Sequence, residues 1–75
     1  LLEFPPAVAD GLVAIGNNGG RVYALEADTG ELRWARRQRG QIASSPAIAD
    51  GVVFVSSMDG ALTAYTAGGG RELWT

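Results

Sequence analysis

The chain repeats itself with an offset of 40 residues. The run PAVADG at 6–11 returns as PAIADG at 46–51, and the alignment continues without a gap to Trp34 and Trp74. Eleven of these 29 aligned positions are identical. A period of about 40 residues built from several short strands is typical of a β-propeller blade. The repeat therefore predicts an all-β fold with two four-stranded antiparallel blades, whereas a closed ring takes roughly four to eight.

Turn signals divide each repeat into four short runs. Asp10-Gly11 and Asp50-Gly51 favour type I′ hairpin turns, in which both central residues adopt positive φ. Further turns are expected at 17–20, 28–30, 57–60 (which includes Asp59-Gly60) and 68–70. The strands predicted between these turns cover 6–9, 12–16, 21–26 and 31–36 in the first unit, and 46–49, 52–56, 61–66 and 71–75 in the second.

The apolar pattern predicts how the strands are covered. Residues 12–15 and 52–55 are continuous apolar runs, which indicate strands with both faces covered, since a strand with one wet face alternates. The fourth run of each unit, 31–34 and 71–74, is more polar and suits an outer edge strand. The first blade with its linker is assigned to 1–40 and the second to 41–75, which is expected to be truncated at its C-terminus.

Composition excludes several classes of protein. The 75 residues contain no Cys and no His, so neither a disulfide nor a Cys/His metal site is available. The formal net charge of −2 is too small to indicate nucleic-acid binding. No apolar stretch approaches the roughly 18 residues of a transmembrane segment. All six basic residues are Arg, which hints at a GC-rich bacterial genome.

A longer motif adds a family resemblance. The run ALEADTGELRW at 24–34 resembles the tryptophan-docking motif of PQQ-like (quinoprotein-type) propellers, whose pattern is Ala-x-Asp-x-x-Thr-Gly-Lys-x-x-Trp. The matching residues in the first copy are Ala24, Thr29, Gly30 and Trp34; those in the second are Ala64, Gly70 and Trp74. The second copy departs from the pattern at Thr66, Gly69 and Arg71. The resemblance covers nearly the whole chain and implies a parent ring of seven or eight blades.

The resemblance implies a structural role for these residues. Trp34 and Trp74 are interpreted as side chains that tie one blade to the next, with the small Ala24 and Ala64 leaving room for the rings. Gly30 and Gly70 allow tight turns because glycine tolerates positive φ. The alternative for the two Trp residues is a stacking platform for a quinone or a sugar. Their spacing of 40 favours inter-blade docking, because a ligand site needs one Trp rather than one per blade.

No catalytic, cofactor-binding or metal-binding residue is assigned from the sequence. The acids are Glu3, Asp10, Glu26, Asp28, Glu31, Asp50, Asp59 and Glu72. The aspartates lie in predicted turns, where Asp bonds to nearby backbone N–H groups. Residues 68–71 (GGGR) lack the Gly-Lys-Ser/Thr of a P-loop, and Ser44-Ser45 has no base nearby in sequence. Residues 36–39 (RRQR) are interpreted as a solvated outer strand and loop, with a basic patch as the alternative.

The expected function is a structural and interaction module, similar to the outer-membrane assembly lipoproteins or to the sensor domains of bacterial kinases. Its expected partners are the remaining blades of the parent and another protein, with a homo-oligomer if the chain stands alone. The alternative is part of a quinoprotein dehydrogenase that uses PQQ and calcium to oxidise alcohols or sugars. Whether the parent is an enzyme stays open. A periplasmic or extracellular location follows from the resemblance alone.

Overall fold

The computed structural model describes residues 5–17, 19–38 and 40–75. Three residues used above, Glu3 among the acids, Asn18 in a predicted turn and Arg39 in the basic run, lie outside the described residues. The described part contains eight strands and no helix that could cross a membrane. The strands are β1 (Ala7–Ala9), β2 (Leu12–Gly16), β3 (Arg21–Glu26), β4 (Leu32–Arg37), β5 (Ala47–Ala49), β6 (Val52–Ser56), β7 (Leu62–Thr66) and β8 (Glu72–Trp74).

The strands form two sheets of identical topology. One has the order β1-β2-β3-β4 and the other β5-β6-β7-β8, and every neighbouring pair is antiparallel. The register repeats with the sequence: Ala14 pairs with Ala24, and Phe54, 40 residues on, pairs with Ala64. The all-β prediction of two four-stranded antiparallel blades is confirmed. The division at 40/41 stays a prediction, and we call the sheets the first blade (7–37) and the second blade (47–74).

The first hairpin of each blade closes through a turn with an unusual backbone. Asp10 and Asp50 have φ of 55° and 52°, and the glycine after each has φ of 75°. Two successive residues with positive φ are the requirement of a type I′ turn, whose twist matches that of the flanking strands. Glycine meets this requirement without steric cost, and Asp tolerates it better than most residues.

The hydrophobic core lies between the two blades. From the first blade it takes Leu12, Val22 and Trp34, each at most 5% exposed. Facing them are Val53, Val55 and Tyr65 of the second blade. On each strand these residues alternate with others that point away from the partner sheet, as the period of two requires.

The outer faces of the two blades are less buried than the continuous apolar runs predicted. Val13 and Ile15 on the first blade, and Val52 and Phe54 on the second, are only half-buried. The runs predicted two covered faces, but each blade has a neighbouring sheet on one side only. Each outer face therefore keeps an apolar surface that no other described sheet covers.

Candidate functional site

The two blades are joined at the turn that connects β7 to β8, residues 67–70, which we call the second-blade turn. The indole of Trp34 on β4 reaches this turn, and its Nε1–H donates a hydrogen bond of 2.9 Å to the Ala67 carbonyl. The ring is 5% exposed and also packs at 5.7 Å, centroid to centroid, from Tyr65. A buried indole needs a partner for its N–H, and the carbonyl supplies it.

Gly70 provides the surface on which the indole lies. A Cβ built on this residue would come within 2.5 Å of Trp34 Cδ2 and 2.7 Å of Cε3. The backbone φ of Gly70 is 72°, in the left-handed region. Both the space and the backbone conformation therefore require glycine here.

Arg36 adds two hydrogen bonds to the same turn. Its Nε donates to the Gly70 carbonyl at 2.7 Å, and its Nη2 donates to the Gly69 carbonyl at 3.3 Å. Arg36 lies two residues after Trp34 on β4, so the two side chains share one face of the strand. The second-blade turn thus presents the carbonyls of Ala67, Gly69 and Gly70 to donors from the first blade.

Replacing Arg36 by Met removes these hydrogen bonds and keeps the apolar stem. We expect the free energy of unfolding to fall by about 1–2 kcal/mol, the usual range for a hydrogen bond with one charged partner, reduced by exposure. Arg21→Met is the control, because Arg21 is exposed at the start of β3, on the face opposite to that of the buried Val22. Equal losses for the two variants in urea titrations would contradict the assigned role of Arg36.

The second blade reaches the same turn geometry with different side chains. In the first-blade turn, residues 27–30, the Thr29 hydroxyl accepts a hydrogen bond of 3.2 Å from the Glu31 N–H. In the second-blade turn Gly69 replaces Thr29, and the Thr66 hydroxyl accepts from the Arg71 N–H at 3.0 Å. The departures from the family motif at Thr66 and Gly69 therefore compensate each other.

Glu26 forms an ion pair with Arg33, another arginine of β4. Arg33 Nε lies 2.5 Å from Glu26 Oε2, and Arg33 Nη2 donates to Glu26 Oε1 at 2.8 Å. The hydrogen bond from Arg33 holds the pKa of the Glu26 carboxyl below its usual value. The pair is on the surface, where an ion pair contributes little to stability, and it fixes the start of the first-blade turn.

The other residues singled out in the sequence fall into three groups. Ala24 and Ala64 are fully buried, each paired with the Trp of its own blade across β3–β4 and β7–β8. Trp74 is 48% exposed and contacts Phe54 of its own blade, with ring centroids 6.0 Å apart. The first-blade turn, with Thr29 and Gly30, is exposed. The structure thus brings Trp34 and Gly70 together, but not Trp74 and Gly30.

Sequence reasoning placed Arg36 in the basic run 36–39, interpreted as a solvated outer strand and loop, and did not single out Tyr65. The signal for Arg36 is its position two residues after Trp34, which places it on the same face of a strand. Tyr65 corresponds to Leu25 in the repeat, and nothing in the motif marks it. Within the basic run, the Arg36 guanidinium is bound to backbone carbonyls of the second blade.

A polar cavity of about 370 Å³ opens beside the blade interface, between the end of β4 and the face of β7. Its lining includes Arg37, Gln38, Thr63, Tyr65 and Glu72. The Tyr65 hydroxyl donates to Gln38 Oε1 at 2.9 Å, and Gln38 Nε2 is buried with no hydrogen-bond partner among the described residues. Burial, and secondarily the charge of Glu72, raises the pKa of Tyr65, so that its hydroxyl stays a donor. The cavity can hold water or another small polar group.

The described residues include no cluster of metal-ligating side chains. Between 5 and 75, leaving out Asn18 and Arg39, no three His, Cys, Asp or Glu side chains are grouped so that they could hold an ion. Asp10, Asp50 and Asp59 lie in separate turns. These residues therefore do not fit a calcium site of the kind that the quinoprotein alternative requires.

Comparisons with known proteins agree with this architecture. The quinohemoprotein alcohol dehydrogenase ADHIIG from Pseudomonas putida HK5 matches with 31% identity and a TM-score of 0.82, over 92% of this chain and 12% of its own. A europium-containing methanol dehydrogenase matches with 25% identity and a TM-score of 0.81, over 93% of this chain and 14% of its own.

A further solved structure, that of BamB from Moraxella catarrhalis, matches with 24% identity and a TM-score of 0.86. The likeness covers 92% of this chain and 22% of that one, and it shows a shared fold. In all three cases the chain spans less than a quarter of the relative's length. Among curated proteins, none matches the chain.

A match to a family model shows which protein family the chain belongs to. The model described as outer membrane protein assembly factor BamB matches residues 2–75, almost the entire sequence. The match agrees with the 40-residue repeat, the two four-stranded sheets and the Trp34 contact described above. The chain therefore belongs to the BamB-like family of PQQ-like β-propeller repeats.

Proposed function

We propose that the chain is part of a rigid propeller scaffold that binds another protein through the turns at one end of its sheets. The observation that carries the proposal is the contact across the blade interface, where the side chains of Trp34 and Arg36 bind the second-blade turn. Their polar groups are occupied in joining blades. The family description, an outer membrane protein assembly factor, supports a protein partner and a periplasmic location.

The proposed partner surface is the end that carries the type I′ turns. The Ala27 N–H donates to the Gly11 carbonyl at 2.9 Å, and the Ala67 N–H donates to the Gly51 carbonyl at the same distance. These bonds place two turns of each blade, 10–11 with 27–30 and 50–51 with 67–70, at the same end of their own sheet. Asp10, Asp28 and Asp50 are exposed there. Because loops on a rigid scaffold commonly bind partners, and these loops are acidic, we expect a basic protein surface.

A second candidate is part of a quinoprotein alcohol dehydrogenase. It is favoured by the 31% identity to ADHIIG, which is higher than the 24% identity to BamB. Under this alternative other parts of the parent supply at least some of the PQQ and calcium ligands, since the described residues contain no group of three acidic side chains that could hold an ion. We assign no cofactor to this chain.

Site-specific photo-crosslinking in the full-length parent tests the scaffold proposal. A photoreactive amino acid at Asp10 or Asp50 is expected to give one discrete protein adduct, and raised salt should reduce it. Met58, 70% exposed in the β6–β7 turn at the opposite end of the second blade, is the control position and should give none.

Titration of the same purified parent with PQQ and Ca²⁺, followed by absorbance, tests the alternative. Saturable binding at micromolar PQQ, together with alcohol-dependent reduction of an electron acceptor, would replace the scaffold proposal by the dehydrogenase.

A further inference from the structure

Each blade has one face buried against the other blade and one face with no described neighbour. We call the outer face of the second blade, with Phe54, Leu62 and Trp74, the donor face. We call the outer face of the first blade, with Val8, Val13, Ile15, Leu25 and the first-blade turn, the acceptor face. Leu62 and Trp74 are 46% and 48% exposed, and Val8 is 67% exposed.

The donor face repeats a surface that is already used inside the molecule. Subtracting 40 from Phe54, Leu62 and Trp74 gives Ala14, Val22 and Trp34. These three counterparts are buried in the inter-blade core. The donor face therefore presents the same kinds of side chain, on the same strands, as the surface with which the first blade binds the second.

The acceptor face repeats the other half of that interface. Adding 40 to Val13, Ile15 and Leu25 gives Val53, Val55 and Tyr65, all of them in the buried core. Val8 pairs with Val13 across β1–β2 and lies on this same face. Its counterpart Ile48 packs against the core.

The first-blade turn has the geometry that the second-blade turn uses to receive an indole. Gly30 has φ of 77° against 72° for Gly70. The Gly30 N–H donates to the Glu26 carbonyl at 2.8 Å, just as the Gly70 N–H donates to the Thr66 carbonyl at 2.8 Å. A Cβ on Gly30 would meet no atom of the described residues within 4 Å, so none of them occupies above Gly30 the space that Trp34 fills above Gly70.

We propose that, where the 75 residues are not joined to further blades, the donor face of one copy binds the acceptor face of a second copy, with Trp74 seated on Gly30 and its indole N–H donating to the Ala27 carbonyl. Both halves of the interface are on the same polypeptide, and their complementarity is demonstrated by the internal interface. The contact is head-to-tail, so the copies add one after another until the ring closes.

The ring size follows from the length of a relative. The matched two-blade stretch is 22% of the BamB chain, so that chain has room for four such stretches, which together make 88%. Four copies of the present chain, eight blades, is therefore the expected closed assembly. Its junctions are weaker than the internal one, because Leu73 stands in the position of Arg33, whose Nη1 donates to the Ala67 carbonyl at 3.5 Å across the internal interface.

Light scattering after size exclusion of the 75-residue chain tests the proposal, with two complementary variants. Wild type should form a discrete species close to four times 7.8 kDa at high concentration. Trp74→Ala removes the donor side chain, and Leu25→Glu places a charge on the acceptor face. Each variant alone should be a folded monomer whose association is at least about tenfold weaker, since a buried Trp anchor contributes more than 1.4 kcal/mol.

Mixing the two variants distinguishes a head-to-tail contact from a two-fold one. The Trp74→Ala chain keeps its acceptor face and the Leu25→Glu chain keeps its donor face, so a mixture should form a 1:1 dimer that cannot grow. Val8→Glu replaces Leu25→Glu if circular dichroism shows that the latter does not fold. Met58→Ala, at a 70% exposed residue in the β6–β7 turn, is the control and should assemble like wild type.

Four results would overturn the proposal: a wild-type monomer at high concentration, a polydisperse aggregate, a discrete oligomer that survives both substitutions, or two monomeric variants that stay monomeric when mixed.

Discussion

Trp34→Ala is expected to lower the free energy of unfolding of the two-blade chain by about 3–5 kcal/mol, the usual loss when a buried aromatic side chain is truncated. The ring is 5% exposed, it contacts Tyr65, and its N–H is bonded to the Ala67 carbonyl. Its removal leaves a cavity in the core between the blades. Since a small domain has a total stability of about 5 kcal/mol or more, the variant should be close to unfolded at room temperature.

Trp74→Ala is the matched control for this loss. Trp74 occupies the same position in the repeat, but it is 48% exposed and contacts Phe54 of its own blade. We expect a loss of about 1 kcal/mol for a partly exposed aromatic. Urea titrations followed by circular dichroism, at concentrations where light scattering shows a monomer, measure the difference. Equal losses for the two variants would show that the Trp34 contact does not hold the blades together.

Gly70→Ala should destabilise the chain considerably more than Gly30→Ala. Both glycines have a left-handed backbone, which costs a side-chain-bearing residue about 1–2 kcal/mol. Only at Gly70 would the new Cβ meet the Trp34 ring, at 2.5 Å. Overpacking of this kind adds about 1–3 kcal/mol. The total expected for Gly70→Ala is therefore about 2–5 kcal/mol, against about 1–2 kcal/mol for Gly30→Ala.

The comparison of the two glycine variants separates backbone strain from docking. Each is measured by chemical denaturation, again with both proteins monomeric. Equal losses for Gly70→Ala and Gly30→Ala would assign the whole cost to the left-handed backbone and would contradict the contact between Gly70 and the indole.

The architecture was predictable because its signals are local and repeated. The Asp10-Gly11 and Asp50-Gly51 pairs mark hairpins, and the offset of 40 residues marks the unit. The strand bounds found coincide with those predicted at nine of the sixteen ends and differ by one residue at the other seven. The sequence pattern also indicated an outer fourth strand, and β4 is exposed except at Trp34 and Ala35.

The contacts across the blade interface were less predictable. That Arg36 binds the carbonyls of Gly69 and Gly70 depends on how the two sheets stack, and no local pattern encodes that. The same holds for the different environments of Trp34 and Trp74. They are equivalent in sequence, but one has a blade to contact and the other does not.

The exchange of Thr29 for Gly69 illustrates a further limit. When the two repeats are compared position by position, Gly69 departs from the motif because it has no hydroxyl. The hydroxyl of Thr66 nevertheless makes the equivalent hydrogen bond. Such a compensation becomes visible only when the turn is seen in three dimensions.

The central claim, that Trp34 of the first blade lies on Gly70 of the second, is tested most directly by the proton NMR shifts of two glycines. The measurement is made on the Trp74→Ala chain, so that no second copy is expected to contact Gly30. The account predicts that one Gly70 Hα resonance lies well upfield of its Gly30 counterpart, because it points into the face of the indole, with a nuclear Overhauser effect to the Trp34 ring. Equal Hα shifts for Gly70 and Gly30, and no such effect, would contradict it.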